Sequence, residues 1–541
     1  MKYLFLLWVL ILSLVFPSEA IAQAQQPYTL ISGLGTHHHQ VSTKNPQAQM
    51  FFDQGLNLIY AFNHDEAARS FKYAAELDPQ LAMAYWGMAL ALGPNINLDV
   101  DSDRELAAYE AIQQAVALSS HASKQEQEYI NALAKRYSND SHAYLYKLAM
   151  DYKNAMADLV KHYPQDLDAK TLYAESLMDL HPWQLWSKDG KPLEDTEEIV
   201  GVLESVLQRE PNHPGANHYY IHAVEASLSP ERALQSAKRL ETLVPAAGHL
   251  VHMPSHIYFR VGDYAGAMRS NALAIAQDEA YIQKSHVQGF YPLMYYSHNV
   301  HFLAVAAAMA GRYQDAIQAA DKLVTNATPF VSESPMIEGY LGTKILVQVR
   351  FSDWDNILKS PAPDDKLVTT KALWYFAHGM ANAAKGKIED ATSDRAALLK
   401  AQNTIPATAT IGMSPASRIL DIASNLLDAK IAKAKQDYES AIKLLKTAVA
   451  QEDALNYMEP PDWYIPAREA LGGVLLAKGD YAAAEKVFRA DLQKYPLHGR
   501  SLLGLQASLQ ALNKTAEAQQ VQTKFTAAWQ NADMQLALEK L

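Results

Sequence analysis

From about residue 48 onward, apolar side chains recur every three or four positions in runs of ten or more residues, and polar ones fill the opposite face. That period is the helical one. "MFFDQGLNLIYAF" and "HDEAARSFKYAAEL" are two such runs joined by a short turn, and "EALGGVLLAKGD" with "YAAAEKVFRADLQKYP" is another pair. Alanine, leucine and tyrosine are abundant and runs of β-branched residues are few, which favours helices over strands. The pattern predicts an almost purely α-helical chain with no sheet.

The helix pairs repeat. One unit runs from Ala48 to Pro79, with Gly55 inside its first helix, Ala67, Phe71 and Ala74 along its second, and "LDP" at its close. A later unit places Gly472, Gly479-Asp480-Tyr481, Ala484, Phe488 and Pro496 in the same relative positions. Weaker copies carry Gly262-Asp263-Tyr264 with Ala267 and Ala274, Gly311 with Tyr313 and Ala316, Gly379 with Gly386, and Tyr438 with Ala441. Small residues let paired helices cross closely, aromatics fill the groove between them, and proline ends the second helix. At a period of about 34 residues this resembles the tetratricopeptide repeat. The resemblance implies an all-α, right-handed superhelical solenoid of about ten to twelve helix pairs with one concave surface.

Residues 1–22 stand apart. Lys2, an apolar run of about 13 residues from Leu4 to Phe16, and Ala20-Ile21-Ala22 read as a cleaved secretory leader, since a membrane span needs roughly 20 residues. An alternative cut follows Ala24. Residues 23–47 then form an extended segment, 48–351 a first array, 352–368 an irregular linker marked by Pro361 and Pro363, and 369–541 a second array. The chain is expected to be exported, periplasmic or secreted, and soluble, with no membrane span. It has no cysteine, which excludes disulfides and thiolate ligands, and its net charge of −12 argues against nucleic acid as a partner.

The candidate chemistry is histidine. Nine of nineteen histidines fall between His213 and His301. His218 and His222 are spaced i, i+4; His249, His252 and His256 are i, i+3, i+7; His298 and His301 are i, i+3, so each set shares a helix face. First-helix positions 2, 5, 9, 12 and 13 of the repeat line its groove, as the resemblance implies. Alignment puts His218, His222 and Glu225 at 5, 9 and 12 of one unit. His249, His252, His256 and Arg260 fall at 2, 5, 9 and 13 of the next, and His298 and His301 at 2 and 5 of the third. Glu175 and Asp179 fall at 9 and 13 of the preceding helix. Imidazole is the commonest metal ligand, and with no thiolate present the donors suit zinc, copper, nickel or iron. Affinity for such an ion is expected to fall below about pH 6, as the rings protonate. A histidine-lined groove gripping an organic ligand, and incidental packing, stay open beside the metal.

Other features point to structure. His64 stands where the repeat carries an aromatic and reads as buried packing; Asn95 and Asn97 read as a helix cap and turn. His37-His38-His39 lies in an extended stretch that binds metal adventitiously or packs onto the groove. The tryptophan-bearing insertion 181–195 is placed to fold over the binding face. "HPGANHYYIH" lacks the glutamate of a zinc-protease helix. The segments "QMFFDQGLNLIYAFNHDEAARSF", "GPNIN", "HPGANHYYIHAVEAS" and "GHLVHMPSHIYFRVGDY" also resemble an uncharacterised bacterial family of exported tetratricopeptide repeat proteins, which implies an architecture and no catalytic residue. The function expected is a binding scaffold that presents the groove to a protein, peptide or small ligand, with a divalent transition metal (zinc, copper or iron) as a candidate occupant. The alternative is a metal-dependent hydrolase or oxidase with Glu225 as general base.

Overall fold

The computed structural model describes residues 28–541; the leader-like segment lies outside the described residues. The chain is all-α, a succession of antiparallel helix pairs. Among the described residues the only strands are Thr410–Ile411 and Ser414–Pro415, a two-residue hairpin in place of the expected complete absence of sheet. No helix of the described residues is long and apolar enough to cross a membrane.

The repeat grammar acts through close packing. Helices Pro46–Tyr60, His64–Leu77 and Ala82–Leu92 follow one another, and Phe71 from the second is fully buried between Gly55 and Gly87 of the other two. A Cβ at Gly55 would lie 2.7 Å from the Phe71 ring, and one at Gly87 2.4 Å from it. Phe488 sits in the same way between Gly472 and Gly504. One aromatic thus keys two small residues, in its own unit and in the next. Turns inside a pair use a residue in the left-handed region: Gly479 has φ +84°, and Asp480 then caps the following helix through the Ala483 N–H.

Contacts divide the described chain into two units, up to Asn299 and from Val300. Residues 352–368 lie within the second unit, where helix Trp354–Lys359 precedes helix Val368–Ala384 and Ser360 Oγ accepts the Trp374 indole N–H at 3.0 Å.

In the first unit, residues 28–45 contain no helix or strand. They run as an arm whose Gly33 carbonyl accepts the Ala246 N–H at 3.0 Å, and whose Ser42 is bound through backbone and hydroxyl by Glu126. Gly35 packs so near the Leu243 carbonyl that a Cβ would meet it at 2.9 Å, with φ +81°.

A buried six-histidine candidate metal centre

Three helices deliver the histidines. Helix Pro214–Val224 carries His218 and His222. Helix Gly248–His252 continues, with Pro254 at its first turn, as Pro254–Val261, and together they carry His249, His252 and His256. Helix Ser297–Met309 supplies His298. Pro254 sits where its missing N–H costs least. Gly248 is required at the start of its helix because the Asp278 carboxylate lies 1.9 Å from where a Cβ would stand.

Six of the seven predicted histidines gather into two triads. His218, His222 and His249 form one, and His252, His256 and His298 the other; within each, the candidate ligand atoms lie within 4.8 Å of one another. His249 Nε2 is 3.1 Å from His218 Nε2, His252 Nε2 is 2.8 Å from His256 Nε2, and His298 Nε2 is 3.2 Å from His252 Nε2. Five of the six rings belong to residues at most 6% exposed, and His298 is partly exposed.

The far side of the rings fixes their tautomers. His218 Nδ1 lies 2.7 Å from the Tyr60 carbonyl, which only accepts, so Nδ1 carries the proton. His252 Nδ1 donates to Asn271 Oδ1 at 2.7 Å, an amide oriented by its own N–H donation to the Ala267 carbonyl at 2.9 Å. His222 Nδ1 and His256 Nδ1 donate to the two oxygens of Glu225 at 2.7 and 2.5 Å. When neutral, these four rings present Nε2 lone pairs inward. Between His252 and His256 two lone pairs then face each other at 2.8 Å, a repulsive arrangement that a cation between them reverses. His222 Nε2, buried, has no hydrogen-bond partner. Imidazoles whose outer nitrogens are held by carboxylate or carbonyl are the usual form of metal-binding histidine.

Electrostatics disfavour charge on four of the rings and favour it on the acid. Burial, reinforced by neighbouring histidines, pushes His218, His249 and His252 well below the ordinary imidazole range; burial also lowers His222, against the pull of Glu225. Burial alone would raise the Glu225 carboxyl, but His256 and His222 outweigh it and hold it far below its usual value. With both oxygens engaged, Glu225 orients two ligands. That geometry does not suit the general-base role considered from sequence.

Aromatic rings wall the first triad. Phe62 lies 4.5 Å from the His218 ring centre and 5.4 Å from that of His249, Trp183 lies 5.5 Å from His222, and Tyr295 lies 4.9 Å from His249. Phe62 and Trp183 both adopt left-handed backbone, with φ 54° and 59°, a conformation that costs a non-glycine residue about 1 kcal/mol. The 181–195 insertion does fold over this face: Trp186 donates its indole N–H to the Ala223 carbonyl at 2.7 Å.

The other predicted residues sit elsewhere. His301 lies in the second unit, 5.6 Å from Tyr340 and 6.0 Å from Tyr464 between ring centres, and burial lowers it to about 4. It belongs to neither triad. Arg260 donates to the Glu225 and Ser227 carbonyls at 2.9 and 3.0 Å, closing the end of the Pro214–Val224 helix. Glu175 and Asp179 form a buried acid pair beside Arg136, whose guanidinium lies 2.6 Å from Asp179. Burial and then the Asp179 charge push the Glu175 carboxyl well above its usual range. His64, as expected, is a packing residue: it contacts Asn95 at 3.3 Å, and burial lowers it to about 4. Asn95 also shapes its turn, accepting the Asn97 N–H at 2.9 Å. Most of the residues expected to line an open groove are therefore buried, and five of the six triad histidines have no surface to offer a docked peptide.

A second cluster ties the His37-His38-His39 tract, expected to bind metal adventitiously or to pack onto the groove, to Asp168, a residue not singled out from sequence. Asp168 receives His37 Nε2 at 2.9 Å, His213 Nε2 at 3.1 Å, the Tyr60 hydroxyl at 2.5 Å and His39 Nδ1 at 2.8 Å. It clamps the arm to the helices. The "HHH" string was its one visible sign.

No protein-family model and no curated protein matches this sequence. Among solved structures the chain is similar to yeast Tom70, at 12% identity over 90% of this chain and 98% of that one, with a TM-score of 0.32. It is similar to a human IFIT1 dimer with PPP-AAAA at 12% identity over 91% and 92%, TM-score 0.32, and to the P58(IPK) TPR domain at 10% over 86% and 99%, TM-score 0.21. These likenesses carry nothing about activity.

Proposed function

We propose that this chain is an exported metal-binding protein of the helical-repeat class, whose two histidine triads hold a pair of transition-metal ions sharing Glu225 as a common outer partner. The carrying observation is the convergence of Nε2 atoms, with outer nitrogens committed to Tyr60, Asn271 and Glu225. Incidental packing would leave opposed lone pairs and an orphaned His222 Nε2 in a buried interior, each costing about 1–3 kcal/mol. An organic ligand is the weaker occupant, because the triads are mostly buried and walled by aromatic rings. Export rests on the leader-like residues 1–22 and is tested by cell fractionation.

Elemental analysis of the untagged mature chain, before and after chelation and reloading, decides the reading. Two ions per chain are expected, falling to one or none in a His252→Ala/His256→Ala double variant that keeps its helical circular dichroism. Protein that takes up no zinc, copper, nickel or iron overturns it.

A further inference from the structure

The donor set and its burial say which ions suit the cage. All six candidate ligands are imidazoles, and Glu225 brings a negative charge into contact with two of them, His222 and His256. Two divalent ions would place four positive charges against that one in a largely buried site, and uncompensated buried charge is strongly disfavoured. Two monovalent ions leave a single excess charge. Among metals that imidazole binds well, copper is the one with a stable monovalent state.

We infer, resting on the metal reading above, that the centre is a copper(I) pair that binds dioxygen between the triads. Space selects the ligand. Rings facing across the triads stand at 5.6 Å (His222 to His256) and 5.8 Å (His249 to His252), and within a triad at 4.8 Å (His252 to His298). Phe62, Trp183 and Tyr295 close over the first triad. Rings in contact across the two sets leave no room for an organic substrate between them, so a ligand shared by ions in both triads is a small one. His298, the ring left partly exposed, marks the entry edge.

Charge selects the reaction. Each copper(I) gives one electron, dioxygen becomes peroxide with its O–O linkage retained as a single bond, and no proton is taken up. The pair becomes two copper(II) ions as the ligand gains two negative charges, so the total charge of the cage is unchanged. Oxidation without an incoming ligand would raise that charge by two, which the buried site resists. Dioxygen leaving returns both electrons, so binding is reversible and consumes no reductant.

The test loads the untagged mature chain with copper(I) under anaerobic conditions and then admits dioxygen. Two coppers per chain, uptake of one dioxygen per two coppers, an oxidised form silent in electron paramagnetic resonance and recovery under vacuum are expected. Two bound coppers that take up no dioxygen, show two isolated copper(II) signals or release hydrogen peroxide overturn this inference and leave the metal reading intact. Failure to bind any metal overturns both. A His298→Gln variant, checked by circular dichroism, should bind one copper tightly and lose dioxygen uptake at least tenfold; full uptake in that variant also overturns the proposal.

Discussion

Glu225 shows how much one side chain can set. Its two oxygens fix the tautomers of His222 and His256, one in each triad. A Glu225→Gln variant keeps the shape but offers one acceptor and one donor, so one of the two rings must turn its proton inward. Metal affinity should fall about 10–100-fold, read by competition with a chromogenic chelator, while helical content stays unchanged. Asp168 sets the arm in a comparable way. Burial opposes charge on His39, yet the Asp168 hydrogen bond and charge outweigh it and raise that ring from 6.5 to about 9. Burial likewise opposes charge on Asp168, and His213, His37 and His39 hold it well below 3.8. A raised histidine stabilises fully below 6.5 and loses its contribution as pH climbs through about 9. A depressed aspartate contributes above 3.8 and loses it as pH falls below that. The clasp is therefore strongest between about pH 4 and 6.5. Hydrogen-exchange protection of residues 36–41 should drop at least tenfold between pH 6.5 and pH 9.5, and an arm whose protection is flat across that range refutes the clasp.

At the scale of elements, the architecture was legible because its rules are local. Gly55, Phe71 and Gly472 with Phe488 announce close crossings through spacing alone, and the structure seats each aromatic between two glycines. Gly87→Ala should cost about 1–3 kcal/mol by overpacking, measured by denaturant unfolding, and Phe71→Leu in the same chain should recover part of the loss. The histidines were legible for the same reason, since i, i+3 and i+4 spacing puts each set on one face of its helix, and stacking brought six of the seven together. His301 fell outside because sharing a helix face with His298 does not fix which neighbour that face meets one turn later. The pairing of Asp168 with His37, His39 and His213 was hidden by sequence separation: the arm reaches its partner across 131 positions. The Tyr60 carbonyl and the left-handed turns at Phe62 and Trp183 carry no residue-type signal, though they determine which way the site faces.

For the whole molecule, the described histidine and carboxylate groups able to hold a metal all lie in the first unit, between His37 and His298. Within that unit the arm and the centre meet at one residue. Tyr60 offers its hydroxyl to Asp168, where the arm is fastened, and its carbonyl to His218, where the first triad begins. A fastened arm and an organised triad thus favour each other, and linkage makes the favour mutual. The consequence concerns residence time. An ion enclosed by such a latch leaves when the latch opens, so a scavenger in solution waits on the protein. Metal loss should proceed at a rate independent of chelator concentration once chelator is in excess, and Tyr60→Phe, which releases the hydroxyl and spares the carbonyl, should speed it. Loss that accelerates in proportion to added chelator would mean the ion is reached directly. On these terms the latch, and not the scavenger, would set how long an ion stays.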